Sequence, residues 1–192
     1  MSNDDPKASL APRGGASSAE PRDYRVTESL RDGAPILIRA IRRDDRARLL
    51  AHFRALSPDS VRHRFMGMRR DLSSGELARL CEVDFRDHVA LAATLGSGAD
   101  ERFIGVARFI RGTEPRRAEV AFAVLDQYQG HGIGTLLLRH LARIARQRGI
   151  DQFEADVMGD NLQMLEVFEH SGFPVTRSFA SGVVHLSFPT GA

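Results

Sequence analysis

One run of residues carries most of the chemical information in the chain: Val124, Leu125, Asp126, Gln127, Tyr128, Gln129, Gly130, His131, Gly132, Ile133, Gly134 and Thr135. It places three glycines between the end of an apolar strand pattern and the start of a helical one. Free backbone N–H groups converge at such a junction, and the helix dipole adds positive potential. Glycine lets the backbone adopt positive φ and approach a phosphate closely. A pyrophosphate is the expected guest. A phosphate loop of the Gly-Lys-Ser/Thr kind is rejected, because no lysine stands here. A dinucleotide fingerprint fits poorly: Thr135 follows where a third glycine would be needed, and the loop comes after the fourth strand rather than the first.

The elements that hold this loop are legible from periodicity. Ile36–Ile41 reads as a strand. Asp44 and Asp45 open a helix with apolar Ala47, Leu49, Leu50, Phe53 and Leu56 at helical spacing. A second helix spans Pro58–Phe65, with Ser57 as N-cap and Pro58 in its first position. The run from Ser73 to Glu76 resembles a capping box before a third helix, Glu76–Val83. Strands His88–Leu95, Phe103–Ile110 and Arg117–Leu125 are joined by short turns and should be antiparallel neighbours. Gly132–Arg148 is an amphipathic helix stopped by Gly149. The strand Phe153–Met158 follows at once, so strand, helix and strand form a βαβ unit with parallel strands. A helix over Asn161–Ser171, closed by Gly172, precedes a hairpin of Val175–Phe179 and Val183–Phe188.

Composition bounds the class. The chain has 192 residues, 42% hydrophobic and 27% charged, which describes one globular domain and excludes collagen, coiled coil and wholesale disorder. No stretch of about 18 apolar residues exists to cross a bilayer, and the first residues lack the apolar core of a secretory signal. A cytoplasmic enzyme or binding protein is expected. Residues 1–33 are rich in Pro, Gly, Ser and Asp and read as a flexible tail, leaving 34–192 as the domain. Cys81 is the single cysteine, so no intrachain disulfide forms, and its apolar setting suggests a buried thiol. Basic and acidic residues number 27 and 25, too balanced for a nucleic-acid binder without a recognition motif. Lys7 is the only lysine, so no catalytic amine exists beyond it. His63, His88, His140, His170 and His185 show no metal-ligand spacing, and no metal is expected.

Gln129, Gly130, His131, Gly132, Ile133 and Gly134 match Gln/Arg-x-x-Gly-x-Gly/Ala, and with the element order this resembles the GNAT superfamily of N-acyltransferases. The likeness extends over residues 35–190 and includes Asn161, Met164, Gly172 and Phe173. Leu37–Asp45, Leu56–Ser60, Arg64 and Phe65 are similar, more narrowly, to the catalytic domain of bacterial protein lysine acetyltransferases. Those enzymes often carry a nucleotide-binding or synthetase-related domain, for which this chain leaves no room. The resemblance implies an α/β GNAT fold: a mixed central sheet of about seven strands with a βαβ acyl-CoA-binding unit, flanked by helices. It implies acetyl-CoA as co-substrate. The acceptor would be a primary amine, foremost a protein lysine, on a protein such as an acyl-CoA synthetase. A small-molecule amine and a non-catalytic acyl-CoA sensor stand as rivals.

Direct transfer to an amine needs a general base beside the thioester. The strand before the loop holds one carboxylate, Glu119, where several GNAT enzymes place their base. The competing reading is a plain ion pair with Arg116 or Arg117. The resemblance also assigns a backbone N–H near Val124 or Leu125 to the thioester oxygen. It gives cofactor contacts to Gln129, Gly130, His131, Gly132, Gly134, Thr135 and Asn161, although Asn161 serves equally as an N-cap. Two departures stand out. Many members carry a tyrosine acid seven residues after this asparagine, where Phe168 stands here; Tyr128 and Ser171 are the other hydroxyls nearby. An arginine or lysine is common in the loop where this chain has His131. The basic run Arg62–Arg70 reads either as a solvated helix end or as a wall of the acceptor cleft.

Overall fold

A computed structural model describes residues 20–191. Eight strands form one sheet in the order β1-β2-β3-β4-β5-β6-β8-β7. They are β1 Arg25–Ser29, β2 Pro35–Ala40, β3 His88–Leu95, β4 Arg102–Arg111, β5 Arg117–Val124, β6 Gln152–Met158, β7 Thr176–Ala180 and β8 Val183–Pro189. The helices are α1 Arg46–Ala55, α2 Pro58–Phe65, α3 Ser74–Cys81, α4 Ile133–Gln147 and α5 Leu162–Glu169. Every neighbouring pair is antiparallel except β5 and β6, which are parallel. That exception follows from the α4 crossover, which returns the chain in the same direction.

Helices cover both faces of the sheet. One core joins α4 and α5 to Val120, Phe122, Phe153 and Phe188; the other joins α1, α2 and α3 to Ala90, Ala92, Phe103 and Val106. Central strand β3 therefore reads as a continuous apolar run, with Val89–Ala93 fully buried. Gly105 in β4 lets α4 lie close to the sheet: a Cβ there would come within 2.9 Å of Ile133 Cγ2. Ser57 and Ser73 cap α2 and α3 as expected, the latter in a reciprocal box with Glu76. The third helix starts and ends two residues earlier than its apolar pattern suggests. Cys81 is buried, and burial pushes its thiol up to about 11.

Two expectations are corrected. The mixed sheet expected to have about seven strands has eight, and the strand not foreseen, β1, lies inside the segment assigned to a tail. Residues 20–33 form a short turn, β1 and a tight connection to β2; the expected tail over 1–19 lies outside the described residues. Strand β1 escaped notice because it is a polar edge strand, Arg-Val-Thr-Glu-Ser, held by backbone pairing to β2. Tyr24 and Glu28 secure it through His140 of α4. The second correction concerns the start of α1: Asp45 lies in a short turn just before it, fully buried and paired with Arg39, a role not foreseen from the helix dipole.

Candidate functional site

Strands β5 and β6 pair only over Arg117–Glu119 and Gln152–Glu154. Beyond Glu119 they part, and a cleft of about 560 Å³ opens between them, bounded by the glycine loop, α5 and the end of α2. It is lined by Glu119, Val124, Gln129, Gly130, Gly132, Gly134, Thr135 and Asn161. Leu125 and His131 are not on its wall. Ten residues chosen from sequence thus yield eight that converge on one cavity.

The glycine loop is shaped as its residue types demand. Gly130 and Gly132 have φ of +77° and +87°, and Gly132 caps α4 from the left-handed region. The Leu136 N–H donates to the Gly132 carbonyl at 3.0 Å. The N–H groups of Ile133, Gly134 and Thr135 precede that first helical bond and have no intrahelical acceptor. They offer donors to an anion at the positive end of a four-turn helix. Gly134 has a second reason to be glycine: a Cβ would stand 3.1 Å from Val167 Cγ2, so its absence lets α5 pack on α4.

Backbone direction distinguishes Val124 from Leu125. The Leu125 N–H donates to the Ile104 carbonyl at 2.9 Å, so it is already committed to β4. Val124 stands opposite Gly105, and the Leu125–Ile104 bond makes that a non-hydrogen-bonded position. The Val124 N–H and C=O therefore point away from β4, toward the gap left by β6. Gln129 Nε2 donates to the Val124 carbonyl at 3.0 Å and to Ser60 Oγ at 3.3 Å. Of the two N–H groups named from sequence, that of Leu125 is bonded to β4 and that of Val124 points into the gap.

Glu119 is exposed on the face of β5 that looks toward α2. The ion pairs that would give it a purely structural role are made elsewhere: Arg116 pairs with Asp151, and Arg117 with Glu114 and Glu154. The nearby cation is half-buried Arg64 of α2. Burial pushes the Arg64 guanidinium below its usual range, and the Glu119 charge opposes that shift. His63, Arg64 and Met66 all line the cleft, whereas Arg62 pairs with Asp160 and Arg69 with Glu76. The basic run is thus divided between cleft wall and helix surface.

The hydroxyl candidates are accounted for. Phe168 occupies the tyrosine position as a buried ring, 5.9 Å from Phe122 and 5.3 Å from Phe188 between centroids. Ser171 Oγ donates to the Phe168 carbonyl at 2.6 Å and is buried. The Tyr128 hydroxyl accepts from Arg102 at 3.3 Å, a bond that holds its pKa below the usual value. Asn161 Oδ1 accepts from the Met164 N–H at 3.2 Å and so caps α5. His131 Nδ1–H donates to the Gln129 carbonyl at 2.9 Å, folding the ring back on its own loop.

Three features had no sequence signal because they are long-range contacts. Asp126 accepts from the Ser57 N–H at 2.9 Å, the Ser57 hydroxyl at 2.6 Å and the Ser60 hydroxyl at 2.8 Å, tying the loop to α2. Burial opposes ionisation of Asp126, but these donors outweigh it and hold the pKa below the carboxylate range. Asp156 lines the cleft from β6 and lies 2.6 Å from His185 of β8. Arg31, from the β1–β2 connection, also reaches the cleft.

Comparison with known proteins agrees with the fold. Residues 60–173 match the model of the Acetyltransferase (GNAT) family. The chain is 32% identical over 163 residues to Acetyltransferase PA5475 of Pseudomonas aeruginosa, covering 85% of this chain and 87% of that one. It is 35% identical over 148 residues to Acetyltransferase Pat of Mycolicibacterium smegmatis, covering 77% of this chain and only 44% of the relative. The GNAT domain of S. lividans PAT superposes with a TM-score of 0.79 at 38% identity, covering 86% of this chain and 96% of that one.

Proposed function

The chain belongs to the GNAT acetyltransferase family, and from that premise we propose that it acetylates a protein lysine with acetyl-CoA as donor and Glu119 as general base. The observation that carries this reading is the position of Glu119. It is an exposed carboxylate, free of Arg116 and Arg117, at the point where β5 leaves β6 and the cleft begins.

In this reading the pyrophosphate rests on the N–H groups at the start of α4, and the pantetheine arm runs between the parted strands. The amine loses a proton to Glu119 and attacks the thioester carbonyl. Negative charge then develops on the thioester oxygen, which the Val124 N–H is oriented to meet. Collapse of the tetrahedral intermediate breaks the C–S bond. Phe168 donates no proton and the Ser171 hydroxyl gives its proton to the Phe168 carbonyl; the Tyr128 hydroxyl, which accepts from Arg102, belongs to the loop, and in this reading CoA departs as thiolate and takes its proton from water. Asn161 contributes its side-chain amide to the cofactor while its oxygen caps α5.

A small-molecule amine is the second reading, favoured by the carboxylates of Asp156 and Glu166 beside Glu119 in the same cleft. The experiment that separates the two incubates the protein with acetyl-CoA and a folded acyl-CoA synthetase, and counts acetyl-lysines by mass spectrometry against a Glu119→Gln control. Site-specific acetylation above the control supports the lysine reading. Acetyl-CoA turnover with small amines, and none on protein, replaces it with the second.

A further inference from the structure

The glycine loop has the geometry for a pyrophosphate but little charge. Its one basic side chain, His131, is turned back to the Gln129 carbonyl. A guanidinium nevertheless stands over the loop, and it comes from the other end of the sequence. Arg31 Nη1 donates to the Gly130 carbonyl at 3.3 Å, across 99 positions of chain. Its Nε lies 3.6 Å, and its Cγ 3.7 Å, from where a Cβ on Gly132 would be. The side chain thus lies across Gly130 and Gly132, on the wall of the cleft.

The connection that presents it is firmly built. Leu30 is buried in the core beneath α4. Its N–H donates to the Ala34 carbonyl and its carbonyl accepts from Gly33, each at 2.9 Å. Gly33 takes φ of +85° to close the turn. The neighbouring carboxylate, Asp32, is spent on the Ala34 N–H at 3.0 Å. Among the described residues no carboxylate lies within ion-pair distance of Arg31. A planar guanidinium has five donors, only one of which meets the loop carbonyl, and the remainder suit phosphate oxygens.

We propose that Arg31 is a cofactor-binding residue that supplies, from the β1–β2 connection, the positive charge missing from the glycine loop. It pairs with the pyrophosphate of the acyl-CoA donor. The inference rests on the acyl-CoA reading above and extends it to a segment that precedes the family-matched residues.

Calorimetric titration of the full chain, Arg31→Ala and Arg31→Lys with CoA, dephospho-CoA and pantetheine tests it. Arg31→Ala should bind CoA and dephospho-CoA about tenfold more weakly, and Arg31→Lys should recover part of the loss. Pantetheine, which has no pyrophosphate, should compete equally for the parent and Arg31→Ala. Unchanged CoA affinity in Arg31→Ala overturns the proposal. So does an equal loss for pantetheine, which would mean that Arg31 merely props the loop, or a loss for CoA that dephospho-CoA escapes, which would place the contact on the 3′-phosphate. Failure of the parent chain itself to bind CoA takes down the acyl-CoA reading along with this one.

Discussion

Gln129 donates to the carbonyl of Val124 at 3.0 Å, closing the loop back onto the last residue of β5. The carbonyl and N–H of an extended residue point to the same side, so this bond anchors the residue whose N–H also points away from β4. The loop that would hold the phosphates therefore also braces the residue whose N–H is the proposed donor to the thioester.

That coupling can be tested at the atom concerned. Replacing the Val124 amide by an ester, through incorporation of the hydroxy acid, removes the N–H, keeps the side chain and weakens the Ala123 carbonyl as an acceptor. The expected loss is about 10²–10³ in kcat, with acetyl-CoA affinity retained. The same replacement at Leu125 breaks the bond to Ile104 and should register in thermal stability instead. Equal kinetic losses at both positions would refute the assignment.

Glu119→Gln should lower kcat about 10²-fold or more while leaving the Kd for acetyl-CoA in place, because the proposed base is exposed and would act on the amine rather than on the cofactor. A loss of only two- to threefold in steady-state assays would move the base to another group, with Asp156 the next carboxylate on that wall.

Phe168→Leu separates packing from chemistry. The ring is buried between Phe122 and Phe188, so its truncation should cost about 1–3 kcal/mol by thermal melting. A phenyl ring transfers no proton, so kcat of the folded variant should stay within about threefold. A hundredfold fall at full occupancy would assign the ring a role in turnover.

Stability should fall on mild acidification. Burial pushes His52 down to about 4 against the pull of the Phe103 and Ala123 carbonyls, and burial together with Arg108 takes His88 to about 4 as well. A histidine with a lowered native pKa is stabilising above its unfolded value near 6.5, and that contribution fades as pH drops toward 4. Unfolding free energy should thus decrease from pH 6.5 to 4, on the order of 3 kcal/mol for His52 and less for His88, whose partial exposure screens the effect. His52→Asn should flatten the slope by up to one proton. A parent chain with no slope in that window would contradict the burial of both rings.

Local pattern was enough for much of the molecule. Alternation and apolar runs located β2 to β8, capping residues located α2 and α3, and three glycines at a strand–helix junction marked the loop. These signals work because each residue's conformational preference and burial are written within a few positions of itself. Glu119 stands out in the same way, as the one carboxylate on the strand leading into the loop.

What the sequence could not determine depends on which groups meet across the chain. Strand β1 is polar and is held by pairing with β2, so its own residues carry no apolar period. The fate of two adjacent N–H groups, at Val124 and Leu125, is set by the register of β4 against β5. Asp126 is bound by Ser57 and Ser60, and Arg31 reaches Gly130 across 99 positions. Hydrogen bonds and charges act over a few ångströms in space, and only the closed sheet brings those partners within range.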